Sequence, residues 1–285
     1  MTNGQYRAFL NAVAVTDTHG LYSASGNSGD GGMGGPYGGI TRLGSQDSYS
    51  YIPKDGDARW DTRPANFVSW YNALRFANWL HNGQPIGPQG PLTTEDGAYD
   101  LSLGLAVSRK PEATVVLPDC DEWYKAAYYK GGSLNNGYWD YATQNNVVPN
   151  KNAPTNDTGN SANYYSNGYT VGGPYYSTDA GSYGSSASAY GTFDQNGNIM
   201  EWSEAKSDFS AAQYYCLGGS WYREANYLPA NDFRADAVPS MEVSDLGFRV
   251  ALIPEPASMS LLALGGLAML RKRNIFRTKR RGAEQ

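Results

Sequence analysis

The sequence predicts a loop-rich α+β fold, and three observations carry that expectation. The first is composition: 34 glycines, 23 tyrosines and 7 tryptophans stand beside only 17% charged residues in a chain of 285. That describes an aromatic, turn-rich globule rather than a helical bundle, a coiled coil or a disordered tail. The second is that helical periodicity is confined to a few stretches that begin on legible N-caps. The third is that strand-like runs are short and come late, after a long segment with no periodicity. A chain of this length can bury a substantial core, and no stretch reads as an interdomain linker or an internal repeat.

The opening residues form the first element. Thr2 and Gln5 fit a T-x-x-Q capping box, and Tyr6, Phe9, Leu10 and Val13 recur on one helical face. Residues 20–40 are a Gly/Ser loop, too rich in glycine for regular structure. A second helix is predicted across residues 66–81, where Phe67, Trp70, Tyr71, Leu74, Ala77 and Trp79 are apolar around more than one face and call for burial. A third begins in "LPDCDEWYKAAYYKGG", with Asp119 as N-cap, Glu122 completing the box and Gly131 as the stop. Residues 131–192 offer Asn, Gly, Ser and Tyr in irregular connections, and short strands then fit "LGGSWY" and "LGFRVAL".

Twenty-two basic residues against 27 acidic ones give a net charge of −5, which argues against a nucleic-acid partner. The basic residues concentrate at the end of the chain, in "RKRNIFRTKRR". That run follows an uncharged apolar stretch from Ala257 to Leu270, which reads as a short transmembrane helix. At about 1.5 Å per residue it spans about 21 Å, short of a hydrocarbon core of about 30 Å. Pro254, Glu255 and Pro256, then "LLALGGLAML", then Arg271, Lys272 and Arg273 resemble the PEP-CTERM sorting signal of Gram-negative bacteria. The resemblance implies export through the inner membrane, an exosortase as partner, and processing near Pro254 to Pro256, like other C-terminal addresses that are removed. The inner membrane would be met only transiently, with residues 253–275 as the signal and 276–285 as a basic cytoplasmic tail. Export calls for an N-terminal signal peptide, yet a folded element begins at residue 2, so the expectation is that the chain is truncated ahead of Met1.

Six stretches in order, "TNGQYRAFLNAV", "RPANFVSWYNALRFANWL", "LPDCDEWYKAAYY", "YGTFDQNGNIMEWSE", "LGGSW" and "LGFRVAL", resemble the formylglycine-generating enzyme (sulfatase-modifying factor) family. They cover about residues 2–252, so residues 1–252 are expected to form one such domain. The fold this implies is a variant of the C-type lectin-like fold: α+β, loop-rich, with bound calcium.

On residue chemistry alone, "DQNGNIMEW" supplies hard oxygen ligands in Asp194 and Glu201 around an Asn-Gly turn, the donor set calcium selects, although such a sequence is more often simply a turn. The resemblance implies a calcium held by the side chain of Asp194, the carbonyls of Gly197 and Ile199, and the carboxylate of Glu201. It also implies a second calcium site, for which Asn163 and the Tyr164 carbonyl are candidates and Asp179 a guess.

The same resemblance raises copper chemistry, because formylglycine-generating enzymes oxidise a substrate cysteine with a copper ion held by two cysteines just after the Gly-Gly-Ser-aromatic segment. Here Arg223 stands where the first thiolate is expected, and no cysteine lies between Trp221 and Ala237. A guanidinium has no acceptor lone pair, so copper is not expected. Met200 also replaces a tryptophan of the family's pattern. His19 and His81 have no metal-ligand spacing, no G-x-S-x-G or Walker A pattern occurs, and Ser220 reads as a structural hydroxyl. The carboxylates Asp61, Asp121, Glu122, Glu201 and Glu204 could meet in a cleft, which sequence does not show.

Two functional readings follow. One is a non-catalytic surface or extracellular-matrix protein whose Tyr and Trp residues contact a glycan or surface polymer. The other is a formylglycine-generating oxidase acting on a cysteine of sulfatases, or an enzyme derived from one. Cys120 lies in a helix first turn, where Asp119, Asp121 and Glu122 oppose thiolate formation. Cys216 is either a small strand residue or the partner of Cys120 in a disulfide, which an exported protein could form.

Overall fold

The computed structural model describes residues 1–132 and 136–253. Residues Met1–Ala251 form one compact unit.

Helix α1 (Asn3–Val13) starts on the expected capping box: Thr2 accepts from the Gln5 N–H while the Gln5 side chain accepts from the Thr2 N–H. Its buried face is Tyr6, Phe9, Leu10 and Val13, as the periodicity predicts. A short antiparallel hairpin follows, β1 (Ile40–Leu43) with β2 (Ser50–Pro53), in register from Ile40 opposite Pro53 to Leu43 opposite Ser50. Asn11 ties α1 to this hairpin by bonding both the N–H and the carbonyl of Tyr51, at 3.0 and 2.9 Å.

Helix α2 is Trp70–His81, four residues shorter at its start than the sequence suggests. The reason is local: Phe67 adopts φ 57°, outside helical space, and Ser69 in extended conformation caps the helix by accepting from Asn72 N–H. Phe76 of α2 meets Phe9 edge-on with centroids 5.3 Å apart and Tyr6 in a stack at 5.9 Å. Strand β3 (Val115–Val116) packs against α2. Helix α3 (Cys120–Tyr128) carries the predicted Asp119–Glu122 capping box, but ends before Gly131 because Tyr129 turns extended.

The main sheet has four strands in the order β6-β5-β4-β7: β4 Met200–Lys206, β5 Tyr214–Leu217, β6 Arg234–Ala237 and β7 Leu246–Phe248. β4 and β5 are antiparallel, β5 and β6 likewise, and β7 runs parallel to β4. The stretch "LGGSWY" is therefore mostly the exit from a strand: only Leu217 belongs to β5, and Gly218 and Gly219 leave it at φ 90° and 69°.

Alternation along these strands divides the core in two. On one face, Tyr215 and Leu217 join Trp123 and Tyr128 of α3, with Phe233 stacked 5.7 Å from Trp123. On the other face, Trp70 stacks on Tyr214 at 3.7 Å, and the Trp202 indole donates to Val68 O at 2.8 Å. Among the described residues between 131 and 192 there is no named strand and a single 3-10 turn at Pro154–Asn156, in keeping with the absence of periodicity.

This alternation speaks against the disulfide option. Both cysteines are free. Cys216 pairs with Trp202 across the sheet and so faces the α2 side, whereas Cys120 packs with the α3 cluster, its Sγ 3.7 Å from Ser203 Oγ. The sheet lies between the two thiols. Among the described residues no helix is long and apolar enough to cross a membrane. The expected membrane helix at 257–270 and the signal residues Pro254, Glu255, Pro256, Arg271, Lys272 and Arg273 lie outside the described residues.

Candidate functional site

Two adjoining clusters gather the sequence-predicted site residues, and one loop joins them. The turn from Asp194 to Asn198 is built on left-handed residues: Asp194 at φ 58°, Gly197 at 82° and Asn198 at 64°. Gly197 is obligatory, since an added Cβ would sit 2.2 Å from the carbonyl oxygen of Asn163. The Asn198 N–H donates to Asn163 O, and its side-chain oxygen accepts from Thr178 N–H at 2.9 Å.

In the first cluster the two expected carboxylates behave differently. Glu201, at the start of β4, accepts from both the Trp123 indole at 2.7 Å and the Arg249 guanidinium, whose Nη2 lies 2.7 Å from Oε1 and whose Nε bonds Oε2. Both of its oxygens are engaged. Asp194 accepts from the Gly181 N–H at 2.7 Å through Oδ2, while its buried Oδ1 has no partner. Burial pushes the Asp194 carboxyl up to about 6, against the opposing pull of the Gly181 N–H and of Arg249. Met1, Asp194, Ile199, Glu201 and Arg249 border a common cavity of about 400 Å³.

An orphaned buried carboxylate oxygen is a donor that a hard cation would take, and among the described residues no loop N–H donates to the carbonyl of Gly197 or Ile199. Glu201 fits less well, because Arg249 already neutralises it. No cluster of three or more His, Cys, Asp or Glu side chains suited to a metal occurs among the described residues.

At the second expected calcium site, Asn163 Oδ1 is buried without a partner, but the Tyr164 carbonyl accepts from the Thr170 hydroxyl at 2.9 Å. Asp179 is turned elsewhere, accepting from the Thr62 hydroxyl at 2.6 Å and lying 3.8 Å from Arg63.

The second cluster follows β5. Ser220 is fully buried and its hydroxyl donates to Asp245 Oδ2 at 2.7 Å. The Arg223 Nε lies 3.6 Å from the same carboxylate oxygen, and its guanidinium covers Tyr227 at 5.4 Å. Burial raises the Asp245 carboxyl, offset by the Ser220 hydrogen bond and by Arg223. Trp221 donates its N–H to Asn198 O at 2.9 Å, which couples this cluster to the first. Around the Trp221 ring lie Tyr37 at 5.7 Å, Tyr176 at 5.0 Å, Tyr169 at 5.6 Å and Tyr222 at 5.6 Å.

The two histidines make local contacts. His81 Nδ1 is 2.8 Å from the Thr114 hydroxyl, and His19 lies 3.6 Å from Glu95. Burial raises both thiols, Cys216 the more strongly. Sequence reasoning missed Arg249 and Asp245, although both fall in or beside "LGFRVAL". A lone cation in an apolar strand already asks for a buried carboxylate partner.

A family model for the sulfatase-modifying factor enzyme 1-like domain matches residues 1–253, and one for the PEP-CTERM protein-sorting motif matches residues 252–274. Such a motif implies sorting by an exosortase and export to the cell envelope or surface. No curated protein matches the chain. Among solved structures, that of CarF is similar at 22% identity, covering 89% of this chain and 84% of that one, with a TM-score of 0.54. Treponema denticola variable protein 1 follows at 22% identity, 68% and 73% coverage and a TM-score of 0.45. PvdO from Pseudomonas aeruginosa has 16% identity, 67% and 62% coverage and a TM-score of 0.40. The chain thus has the loop-rich α+β fold that its sequence predicts, and it belongs to the sulfatase-modifying factor enzyme 1-like family.

Proposed function

We propose that this protein is an exported, non-catalytic member of its family, held at the cell surface or in extracellular matrix after an exosortase processes its C-terminus, where it binds a glycan or another surface polymer. The observation that carries the reading is the Arg223–Asp245 pair. The position at which the family's copper chemistry calls for a thiolate is filled by a guanidinium already matched to a buried carboxylate. Copper(I) needs soft sulfur donors. The chain's two thiols face opposite sides of the sheet, and both are raised by burial.

The calcium role in this reading is structural. Asp194 with the carbonyls of Gly197 and Ile199 would hold the ion, with Glu201 shared between it and Arg249. A calcium held there would supply the counter-charge that the Asp194 Oδ1 lacks. At the second position Asn163 offers a free side-chain oxygen, with Tyr164 contributing its carbonyl if Thr170 yields it.

Competition for copper(I) against a chromophoric chelator tests the proposal. The protein is expected to leave the chelator's spectrum unchanged at equimolar copper. Stoichiometric capture of copper, with oxygen-dependent oxidation of a cysteine peptide, would instead assign a formylglycine-generating activity.

A further inference from the structure

Most buried tyrosines here spend their hydroxyls inside the protein. Tyr6 donates to Leu21 O, Tyr51 to Ala14 O, Tyr128 to Leu228 O, Tyr164 to Pro149 O and Tyr183 to Asn152 O, all within 2.9 Å. Around Trp221 the pattern reverses. Among the described residues the hydroxyls of Tyr37, Tyr165, Tyr169, Tyr176 and Tyr222, on half-buried or exposed side chains, have no hydrogen-bond partner within the protein.

These rings come from three segments far apart in sequence, and they touch. Tyr37 stacks near Trp221 at an interplanar angle of 22°, Tyr169 stands edge-on to Tyr176 at 5.0 Å, and Tyr165 edge-on to Tyr169 at 5.3 Å. Trp221 is 3% exposed and forms the floor, whereas Tyr169 and Tyr222 stand 40% and 56% exposed at the rim. Hydrogen bonds to main-chain carbonyls hold the cluster in place: Trp221 N–H on Asn198 O, Tyr165 N–H on Arg223 O, and the Asn66 side-chain amide on Tyr37 O.

We infer that this surface is a saccharide platform for an uncharged pyranose polymer, a reading that rests on the non-catalytic function proposed above and assigns its ligand a place. Ring faces cover the C–H faces of a sugar, and the free hydroxyls around them exchange hydrogen bonds with its hydroxyl groups. A purely apolar partner would leave five phenolic hydroxyls without partners at a desolvated interface, which is costly. An anionic polymer finds little positive charge to meet among these rings: the Arg223 charge is matched by Asp245, an exposed Glu224 follows it in the chain, and the Lys151 ammonium donates to the carbonyls of Ser166 and Gly168. A single oligosaccharide strand is the occupant that uses both ring faces and phenol groups. Export to the envelope or surface brings the platform to where such polymers lie.

The test is affinity electrophoresis of the full-length chain through gels containing hydroxyethylcellulose, dextran or mannan, with alginate as the anionic comparison, and tryptophan fluorescence as a second readout. Retardation by at least one neutral polymer, weakened about tenfold or more in the Tyr169→Ala/Tyr222→Ala variant with an unchanged Tm, is the expected result. A Tyr138→Ala/Tyr190→Ala variant, altered at another exposed aromatic patch, should keep full retardation. No retardation by any neutral polymer, retardation by alginate alone, or equal loss in both variants would overturn the platform. None of these results bears on copper chemistry, so the non-catalytic reading stands or falls separately, on copper capture and peptide oxidation.

Discussion

Arg223 and Asp245 form an ion pair that joins the exit of β5 to the entry of β7: the Nε lies 3.6 Å from Oδ2, on the oxygen that also accepts the Ser220 hydroxyl. The carboxylate side chain is 7% exposed and the guanidinium 39%. The arginine is therefore the partly solvated member that makes a buried charge tolerable.

Arg223→Ala is expected to destabilise the protein at neutral pH by about 1–2 kcal/mol, less than a fully buried pair would cost, because water reaches the guanidinium side. The loss should largely vanish in an Asp245→Asn background, and a double-mutant cycle from denaturant titrations measures the coupling.

The Glu201–Arg249 pair is more enclosed and should matter more. Arg249→Leu leaves Glu201 buried with only the Trp123 indole, and a loss of about 3–5 kcal/mol is expected by chemical denaturation. The combined Glu201→Gln/Arg249→Leu variant should recover part of it.

Asp194 gives a pH dependence of unusual sign. Its folded-state pKa, about 6, lies above the model-compound value of 3.8. Below about pH 4 the carboxyl is neutral in both states and costs nothing. As pH rises to about 6 the unfolded chain ionises first, so stability falls, by up to about 3 kcal/mol, and stays lower above that. Calcium should raise Tm at pH 7.5 and have little effect at pH 4.5. Asp194→Asn should raise the calcium-free Tm at pH 7.5 and abolish the calcium response.

Free thiols make a further expectation. Denatured without reductant, the protein should titrate two thiols. Folded, it should react slowly with iodoacetamide at Cys120 and not measurably at Cys216, which is 2% exposed. A disulfide-linked Cys120–Cys216 peptide by mass spectrometry would contradict the strand alternation that separates them.

Local chemistry was legible in the sequence wherever a few adjacent residues decide the outcome. The capping boxes at Thr2 and Asp119, the buried face of α1 and the irregularity of residues 131–192 are all readable. What escaped was set by distant partners. Phe67 in left-handed conformation delays α2, and it is held by its N–H on Val243 O, far along the chain. The β1–β2 hairpin and β6 carry weak alternation, because their strands bury few side chains. At the site, Asp194 and Glu201 are named from the turn, but that Arg249 would occupy Glu201 and leave the Asp194 Oδ1 without a partner depends on β7 lying parallel to β4. Tyrosine abundance was visible, whereas the free hydroxyls assembled around Trp221 exist only in three dimensions.

The central claim, that this family member has given up oxidase chemistry, is tested most directly by incubating the purified, copper(I)-supplied protein with a cysteine-containing sulfatase peptide under oxygen and following formylglycine by mass spectrometry. The account predicts no turnover above a copper-only blank, with no change on Arg223→Ala. Copper-dependent, multiple-turnover formation of formylglycine would contradict it.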